Sequence, residues 1–456
     1  MSNNKGAGGQ MGRDQFRSRL GFIFAAAGSA IGLGNIWRFP YMTGASGGGA
    51  FVLMYLAIVL VVGVSLLLVE FSIGRHGKAN AVDSYAKINK SFAWIGYLGV
   101  FTSFLLISYY SVVGGWTIFY TFKSATGSLA SVPADQMGNF FGGFISKPLM
   151  PLFYHFLFIA LTVWIVANGI SGGIEKYTKA LMPLLFVMLL ILLVRAITLP
   201  GAMKGVAWYL KPDFSKLTGS TVVAACGQVF FSLSLGLSGM VTYASYLSKD
   251  ENLISNSFIV AMADTLIAII AGFVIFPTIF AFGGEPSGGP GLVFISLPQI
   301  FTKMPLGSVF AFIFFLLLVI AALTSSISIM EVCITFFTEK VKWSRLKASL
   351  FYGAVCFLLG VPVSLSFGMW GDVKILGKGI FDLFDYFCSN ISLPLSGLAC
   401  AILVGWFWGK DKALAEVTNN GTIQSSVAGL WFFTVKYIIP IVLGIIFLQA
   451  IGILNV

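Results

Sequence analysis

The sequence predicts an all-helical integral membrane protein of about eleven transmembrane helices, and three observations carry that reading. Of its 456 residues, 57% are apolar and only 10% are charged, and the mean hydropathy is +0.92. Apolar runs of roughly 20 residues, enough to cross a ~30 Å hydrocarbon core, recur from end to end. Two of these runs, over residues 27–40 and 230–239, are interrupted by glycines and polar side chains. No room remains for a soluble domain. The net charge of +11 does not point to nucleic acid, because the basic residues are scattered through short loops and no basic helix or Gly-rich RNA motif is present.

Residues 1–17 are polar and rich in Gly and Asn, a tail. Helix 1, over about residues 18–42, follows Arg13, Arg17 and Arg19; its internal Gly, Asn and Arg mark a retained helix and not a cleaved signal peptide. Helix 2 runs from the Gly47-Gly48-Gly49 turn to about Arg75 and contains Glu70, a carboxylate that must face protein or the interface. A basic loop (Arg75, Lys78, Lys87, Lys90) precedes helix 3, about 92–122, with Tyr109 and Tyr110 near its middle. A polar loop leads to helix 4, about 149–168, and a turn over 169–179 to helix 5, which holds Pro183 and ends near Leu199. After a long loop, helix 6 (about 221–247) carries three serines and two glycines at mid-depth, and helix 7 (about 252–283) carries Asp264. Helix 8 (about 306–337) contains Thr324 and Ser325; helices 9, 10 and 11 end near Val363, Trp408 and Leu454.

Placing the N-terminus and the loops after even-numbered helices in the cytoplasm collects about 17 Lys/Arg there against about nine outside, as the positive-inside rule requires. The C-terminus is then extracellular. The two interrupted helices are the first and the sixth, the spacing of an inverted repeat whose first members are both discontinuous. This divides the chain into a tail (1–17), a first five-helix repeat (18–199), an extracellular loop (200–219), a second repeat (220–408), a cytoplasmic loop (409–430) and helix 11 (431–456).

Broken backbone inside hydrocarbon persists only within protein or beside a watery cavity, since each unpaired group there costs several kcal/mol. Freed carbonyls can hold a cation, and the N–H groups opening the second half-helix can hold a carboxylate. Plainer accounts also exist. Small residues permit close helix packing, which covers Gly28 and Gly32 but not Asn35 and Arg38 beside them. Helical serines back-bond to the preceding turn, and a Thr-Ser pair can be a kink device. The five cysteines lack C-x-x-C spacing and read as small packing residues, and two histidines cannot build a histidine metal cluster.

Four motifs carry a family resemblance: Arg19-Leu20-Gly21 with the run from Gly28 to Pro40; Gly47-Gly48-Gly49-Ala50-Phe51; Gly227 to Gly236; and Leu323-Thr324-Ser325-Ser326. In this order along essentially the whole chain they resemble the neurotransmitter:sodium symporter family, most of all its shorter eleven-helix bacterial amino-acid transporters. The resemblance implies a leucine-transporter-like fold in a bacterial plasma membrane, and import of hydrophobic or aromatic L-amino acids driven by two Na⁺ ions through alternating access.

The resemblance also implies roles. One sodium is ligated by Ala30, Asn35, Ser232 and Asp264, and a second by Gly28, Ile31, Ala321, Thr324 and Ser325. The amides of Leu33 and Gly34, with the Tyr110 hydroxyl, receive the substrate carboxylate. Phe231, Ser232 and Ser234 receive its ammonium, Leu106, Tyr110, Phe231, Leu237 and Ile329 surround its side chain, and Ala30 and Ser325 are implied to touch the substrate as well. Family members selective for amines have an Asp where this chain has Gly32, so an intact α-amino acid fits better. Arg38 and Asp385, with Phe294 in the loop above and Gln228 beside Arg38, are implied to close the outside. Arg13 and Glu339 are implied to latch the inside, where Gly173 and Pro183 resemble a Gly-x9-Pro gate. Chloride-dependent members have Asn at Asp264 and Ser at Ala268, so this chain is expected to work without chloride.

Other classes fit less well. A channel needs a continuous polar pore, and an intramembrane enzyme needs a nucleophile, an acid–base pair or a metal, none of which is arranged here. No ATP motif is present. The partners expected are a small-molecule substrate and membrane lipid, with no obligate protein partner.

Overall fold

A computed structural model describes residues 14–284, 291–450 and 452–454. Its framework is helical. Ser18 starts the first helix by accepting the Gly21 N–H at 3.0 Å. That helix, α1, is in two pieces, Arg19–Ala30 and Gly34–Ala45, bent by 47° where Ile31 turns extended. Nine long apolar helices follow the expected order among the described residues: α2 (Gly49–Gly77), α3 (Lys90–Ala125), α4 (Leu149–Ala167), α5 (Ile170–Ile197), α7 (Leu253–Ala281), α8 (Gly307–Glu339), α9 (Arg345–Leu365), α10 (Ile380–Trp408) and α11 (Ala428–Gln449).

The sixth segment, α6, consists of Gly219–Ser232 and Gly239–Ala244, pieces of 14 and 6 residues that are each too short to span a bilayer. The residues between them include Ser234, Gly236 and Ser238 at φ +53°, +79° and +66°. Left-handed backbone at two serines is uncommon and cannot continue a helix. Gly236 is required on a second ground, because a Cβ there would lie 2.2 Å from the Leu393 carbonyl oxygen.

The first half of α1 packs against α5, α7 and α8, and α3 lies along α8, α4 and α9. The two breaks therefore meet at the centre of the molecule, on a wall formed by α3 and α8. All five cysteines are buried and unbridged.

The loops hold more helix than the sequence reading expected. The basic loop contains Ala81–Ile88, capped by Asn80; the loop after α3 contains Met137–Ile145. The long loop before α6 contains Ala202–Leu210, the loop after α7 contains Leu292–Lys303, and the α10–α11 loop contains Lys410–Val417. The expected turn over 169–179 is helical from Ile170 onward. These pieces are short and lie against the spans, so their local patterns are weak.

Polar clamps fasten the expected cytoplasmic side. Arg75, 2% exposed at the end of α2, donates to the Glu416 carboxylate (2.6 Å) and carbonyl, and to the carbonyls of Glu251 (2.6 Å) and Lys249 (3.2 Å). Glu331 of α8 pairs with Arg345 and accepts the Tyr246 hydroxyl at 2.8 Å. Asp14 accepts the N–H groups of Ile170 and Ser171 at 2.7 and 3.2 Å, and Glu175 accepts the Ser18 hydroxyl at 3.1 Å.

Candidate functional site

Asn35, one turn past the α1 break, reaches three groups of α6 and α7. Its Nδ2 donates to Ser232 Oγ (3.0 Å), Asp264 Oδ1 (2.7 Å) and the Asp264 carbonyl (3.1 Å), while its Oδ1 accepts the Gly32 N–H (2.9 Å). Ser232 Oγ donates to Asp264 Oδ2 at 2.8 Å. All three side chains are fully buried. A buried carboxylate beside a serine hydroxyl, with the Asn35 carboxamide joining both to the α1 break, gathers hard oxygen donors and one formal negative charge, suited to a hard cation.

A second oxygen cluster lies where α1 meets α8. Ser325 Oγ is 3.4 Å from the Gly28 carbonyl, 3.3 Å from that of Ile31 and 3.3 Å from that of Ala321. Thr324 Oγ1 donates to Ala321 O at 3.1 Å. All five residues expected at a second sodium are thus gathered, with no formal charge among them. No group of three or more His, Cys, Asp or Glu suited to a metal exists among the described residues.

Between the breaks is a cavity of about 30 Å³. Its main-chain side is Ala30, Gly32 and Gly34 of α1; a Cβ on Gly32 would lie 2.5 Å from Ser325 Oγ, and one on Gly34 would lie 2.9 Å from the Phe231 ring. Leu106 and Tyr110 of α3, Phe231, Ser234 and Leu237 of α6, and Ser325 and Ile329 of α8 complete most of the wall. The Tyr110 hydroxyl is 3.4 Å from the Leu33 N–H, and Ser234 Oγ donates to the Ser29 carbonyl at 2.9 Å. Leu33 itself faces the outer cavity, and Ser232 belongs to the Asn35–Asp264 cluster and does not line the pocket.

That outer cavity, about 260 Å³, shares Tyr110 and Phe231 with the inner one, so these two rings separate them. Arg38 and Asp385 both line it. The expected closure between them is not made. The Arg38 guanidinium stands 4.8 Å over the Phe231 ring, while Asp385 Oδ1 accepts the hydroxyls of Tyr109 (3.1 Å) and Ser389 (2.9 Å). Gln228 donates to the Gly34 carbonyl at 2.9 Å, and no hydrogen bond joins it to Arg38. Phe294 is buried in helix and not in a loop, stacked on Phe141 at 5.4 Å and edge-on to Trp116 at 5.7 Å.

On the inner side, Arg13 lies outside the described residues. Its expected partner Glu339 accepts the Asn80 N–H at 2.5 Å. The adjacent Lys340 pairs with Asp83 at 2.8 Å. Burial alone would push the Asp83 carboxyl up, but Lys340 and Asn80 hold it below its ordinary value. Gly173 and Pro183 both lie within continuous α5, where a Cβ on Gly173 would lie 2.2 Å from the Ile165 carbonyl. Met182 reaches the second oxygen cluster: its Sδ would be 3.1 Å from a Cβ on Gly28.

Three residues escaped the sequence reading, and a fourth, Glu70, was marked there without a role at the site. Tyr55 of α2 donates to Asp264 Oδ2 (3.3 Å) and approaches Ser232 Oγ (3.4 Å). Glu70, fully buried, accepts the Gly236 N–H at 2.7 Å and so holds the α6 break. Ser29 and Leu393 line the inner cavity. For Glu70, a carboxylate within an apolar helix was the available signal, and Ser29 lies within the interrupted run over residues 27–40; Tyr55 and Leu393 sit in unremarkable apolar context.

Comparison with known proteins places this architecture. The sodium:neurotransmitter symporter family matches residues 13–139 and 145–455. An uncharacterised sodium-dependent transporter of Haemophilus influenzae is 43% identical over 450 residues, covering 96% of this chain and 98% of the relative. One from Bacillus subtilis is 40% identical over 443 residues, covering 97% and 98%. The crystal structure of MhsT in complex with L-phenylalanine superposes with a TM-score of 0.90 at 47% identity, covering 96% of this chain and all of that one.

Proposed function

The chain belongs to the sodium:neurotransmitter symporter family, a family of multi-pass membrane transporters and not of enzymes, and from that premise we propose that it imports hydrophobic and aromatic L-amino acids with two sodium ions and without chloride. The observation that carries the reading is the small cavity with two main-chain breaks on one side and apolar side chains on the other. A zwitterion with an apolar side chain matches such a site. Its carboxylate meets the N–H groups of Leu33 and Gly34 and the Tyr110 hydroxyl; its ammonium meets the carbonyls of Phe231 and Ser232 and the Ser234 hydroxyl. The phenylalanine held by MhsT, the similar structure, supports the same class of substrate.

Sodium is cargo here. One ion sits with Ala30, Asn35, Ser232 and Asp264, and the other with Gly28, Ile31, Ala321, Thr324 and Ser325. Each ion that moves inward gains about 2.3 kcal/mol per 100 mV of inside-negative potential. Asp264 supplies the negative charge that offsets two cations in a poorly solvated site, which leaves no task for chloride, and Ala268 offers no hydroxyl to bind it. Arg38 and Asp385 close the outer cavity once substrate is bound; Glu339, with Arg13, opens as α5 loosens between Gly173 and Pro183. The N-terminus faces the cytoplasm of a bacterial cell and the C-terminus the outside.

The test is uptake of radiolabelled phenylalanine into proteoliposomes. Accumulation is expected with an inward sodium gradient and is expected to persist when gluconate replaces chloride. Undiminished uptake with choline in place of sodium would overturn the coupling, and a large loss in gluconate would overturn the role of Asp264.

A further inference from the structure

We infer that Leu393 of α10 is a specificity-determining residue: it forms the fixed end wall of the substrate cavity and sets the largest side chain that the transporter accepts. The inference rests on the amino-acid reading given above. Leu393 is the α10 residue on the inner cavity, whereas Asp382 and Asp385, about three and two turns earlier, face the outer one.

Its position is held from three directions. Immediately before it, α10 widens over Phe387–Ser392, which re-aims the helix face. Ser392 and Thr102 of α3 are joined by a hydrogen bond between their hydroxyls. On the α6 side, Gly236 sits against the Leu393 carbonyl, and one turn on Gly397 sits against the Phe230 ring, at 2.2 and 2.5 Å from where each glycine's Cβ would be. α10 is therefore packed directly on the α6 break and tied to α3.

A cavity of about 30 Å³ holds one or two waters, so walls must yield when a substrate side chain enters. The Leu237 wall belongs to the irregular α6 segment and can adjust there; the Leu393 wall follows α10, which Ser392 ties to Thr102 of the unbroken helix α3. The side chain at 393 thus determines the length left for the ligand. In an apolar pocket, one methylene is worth roughly 10- to 200-fold in discrimination.

The experiment measures competition of a substrate series, from alanine through leucine to tryptophan, against labelled phenylalanine uptake by the full transporter in proteoliposomes. Leu393→Ala is expected to raise the preference for tryptophan over leucine by tenfold or more, and Leu393→Phe to reverse it by a similar factor while small amino acids are still carried. Leu393→Met, close in volume, is expected to preserve the wild-type ranking. If one variant fails to assemble, the other still reads the same ratio. A ranking that Leu393→Ala and Leu393→Phe leave unchanged, or affinities that fall by one common factor, overturns the inference. Failure of wild-type protein to carry any amino acid would instead overturn the functional reading, so the two failures are distinct.

Discussion

The two oxygen clusters flanking the cavity differ in one respect that governs their behaviour. The Asn35–Ser232–Asp264 cluster contains a carboxylate and is drawn tight, with its side-chain contacts at 2.7–3.0 Å. The Gly28–Ile31–Ser325 cluster is formally neutral, and its oxygens stand 3.3–3.4 Å from the Ser325 hydroxyl. A cation in the first would meet a fixed counter-charge; a cation in the second would meet only dipoles and, on the proposed two-ion reading, be held less firmly. The first cluster joins α1, α6 and α7, whereas the second joins α1 to α8, with Met182 of α5 packed behind it. The difference teaches where the molecule can yield: at the neutral cluster, next to Pro183.

The largest effect expected is from Asp264→Asn. Removing one partner of a buried charge pair costs roughly 3–5 kcal/mol, so the sodium concentration for half-maximal uptake should rise at least about a hundredfold. Ser325→Ala removes a neutral hydroxyl, worth about 1 kcal/mol, and should shift the same titration by about tenfold or less. Equal shifts in the two variants would erase the contrast between the clusters. Pro183→Ala restores a backbone donor inside α5. It is expected to slow turnover several-fold in uptake assays while phenylalanine binding stays close to wild type; unchanged turnover would move the yielding point elsewhere.

The smallest effect concerns the Asp83–Lys340 pair on the expected cytoplasmic face. Because the Asp83 carboxyl is held below its ordinary value, the contribution of the pair is complete above the ordinary carboxylate range and is lost as pH falls through the lowered value. Asp83→Asn should change uptake by less than about fivefold at neutral pH, as exposed pairs do. The thermal stability difference between variant and wild type should shrink as pH is taken below about 4, and a difference that grows on acidification would contradict the sign.

The spans and the two breaks were legible in the sequence because glycine, serine and asparagine inside an apolar run leave few structural alternatives. Residues 31–33 and 233–238 interrupt their helices where the composition marks them. The short helices Ala81–Ile88 and Lys410–Val417 were not, since eight residues of mixed character gain their stability from the spans beneath them. Tyr55 was hidden for another reason: its partners Ser232 and Asp264 are 177 and 209 residues away, a distance that only the tertiary fold closes. The unmade contact between Arg38 and Asp385 belongs to neither class. Both residues line the outer cavity, but nothing in the sequence says that Arg38 stands over the Phe231 ring while Asp385 takes the hydroxyls of Tyr109 and Ser389.

The Arg75 clamp has a mechanical consequence. One guanidinium, 2% exposed, unites the inner end of α2, the α6–α7 loop and the α10–α11 loop through one carboxylate and three carbonyls. Shearing any of the three away from the others would strand a buried charge at a cost of about 3–5 kcal/mol. Stiffness is therefore concentrated at this rivet, and compliance is left to the irregular turns of α1 and α6. On the proposed transport cycle, a sodium gradient would do its work by bending the soft joints around a joint that does not bend.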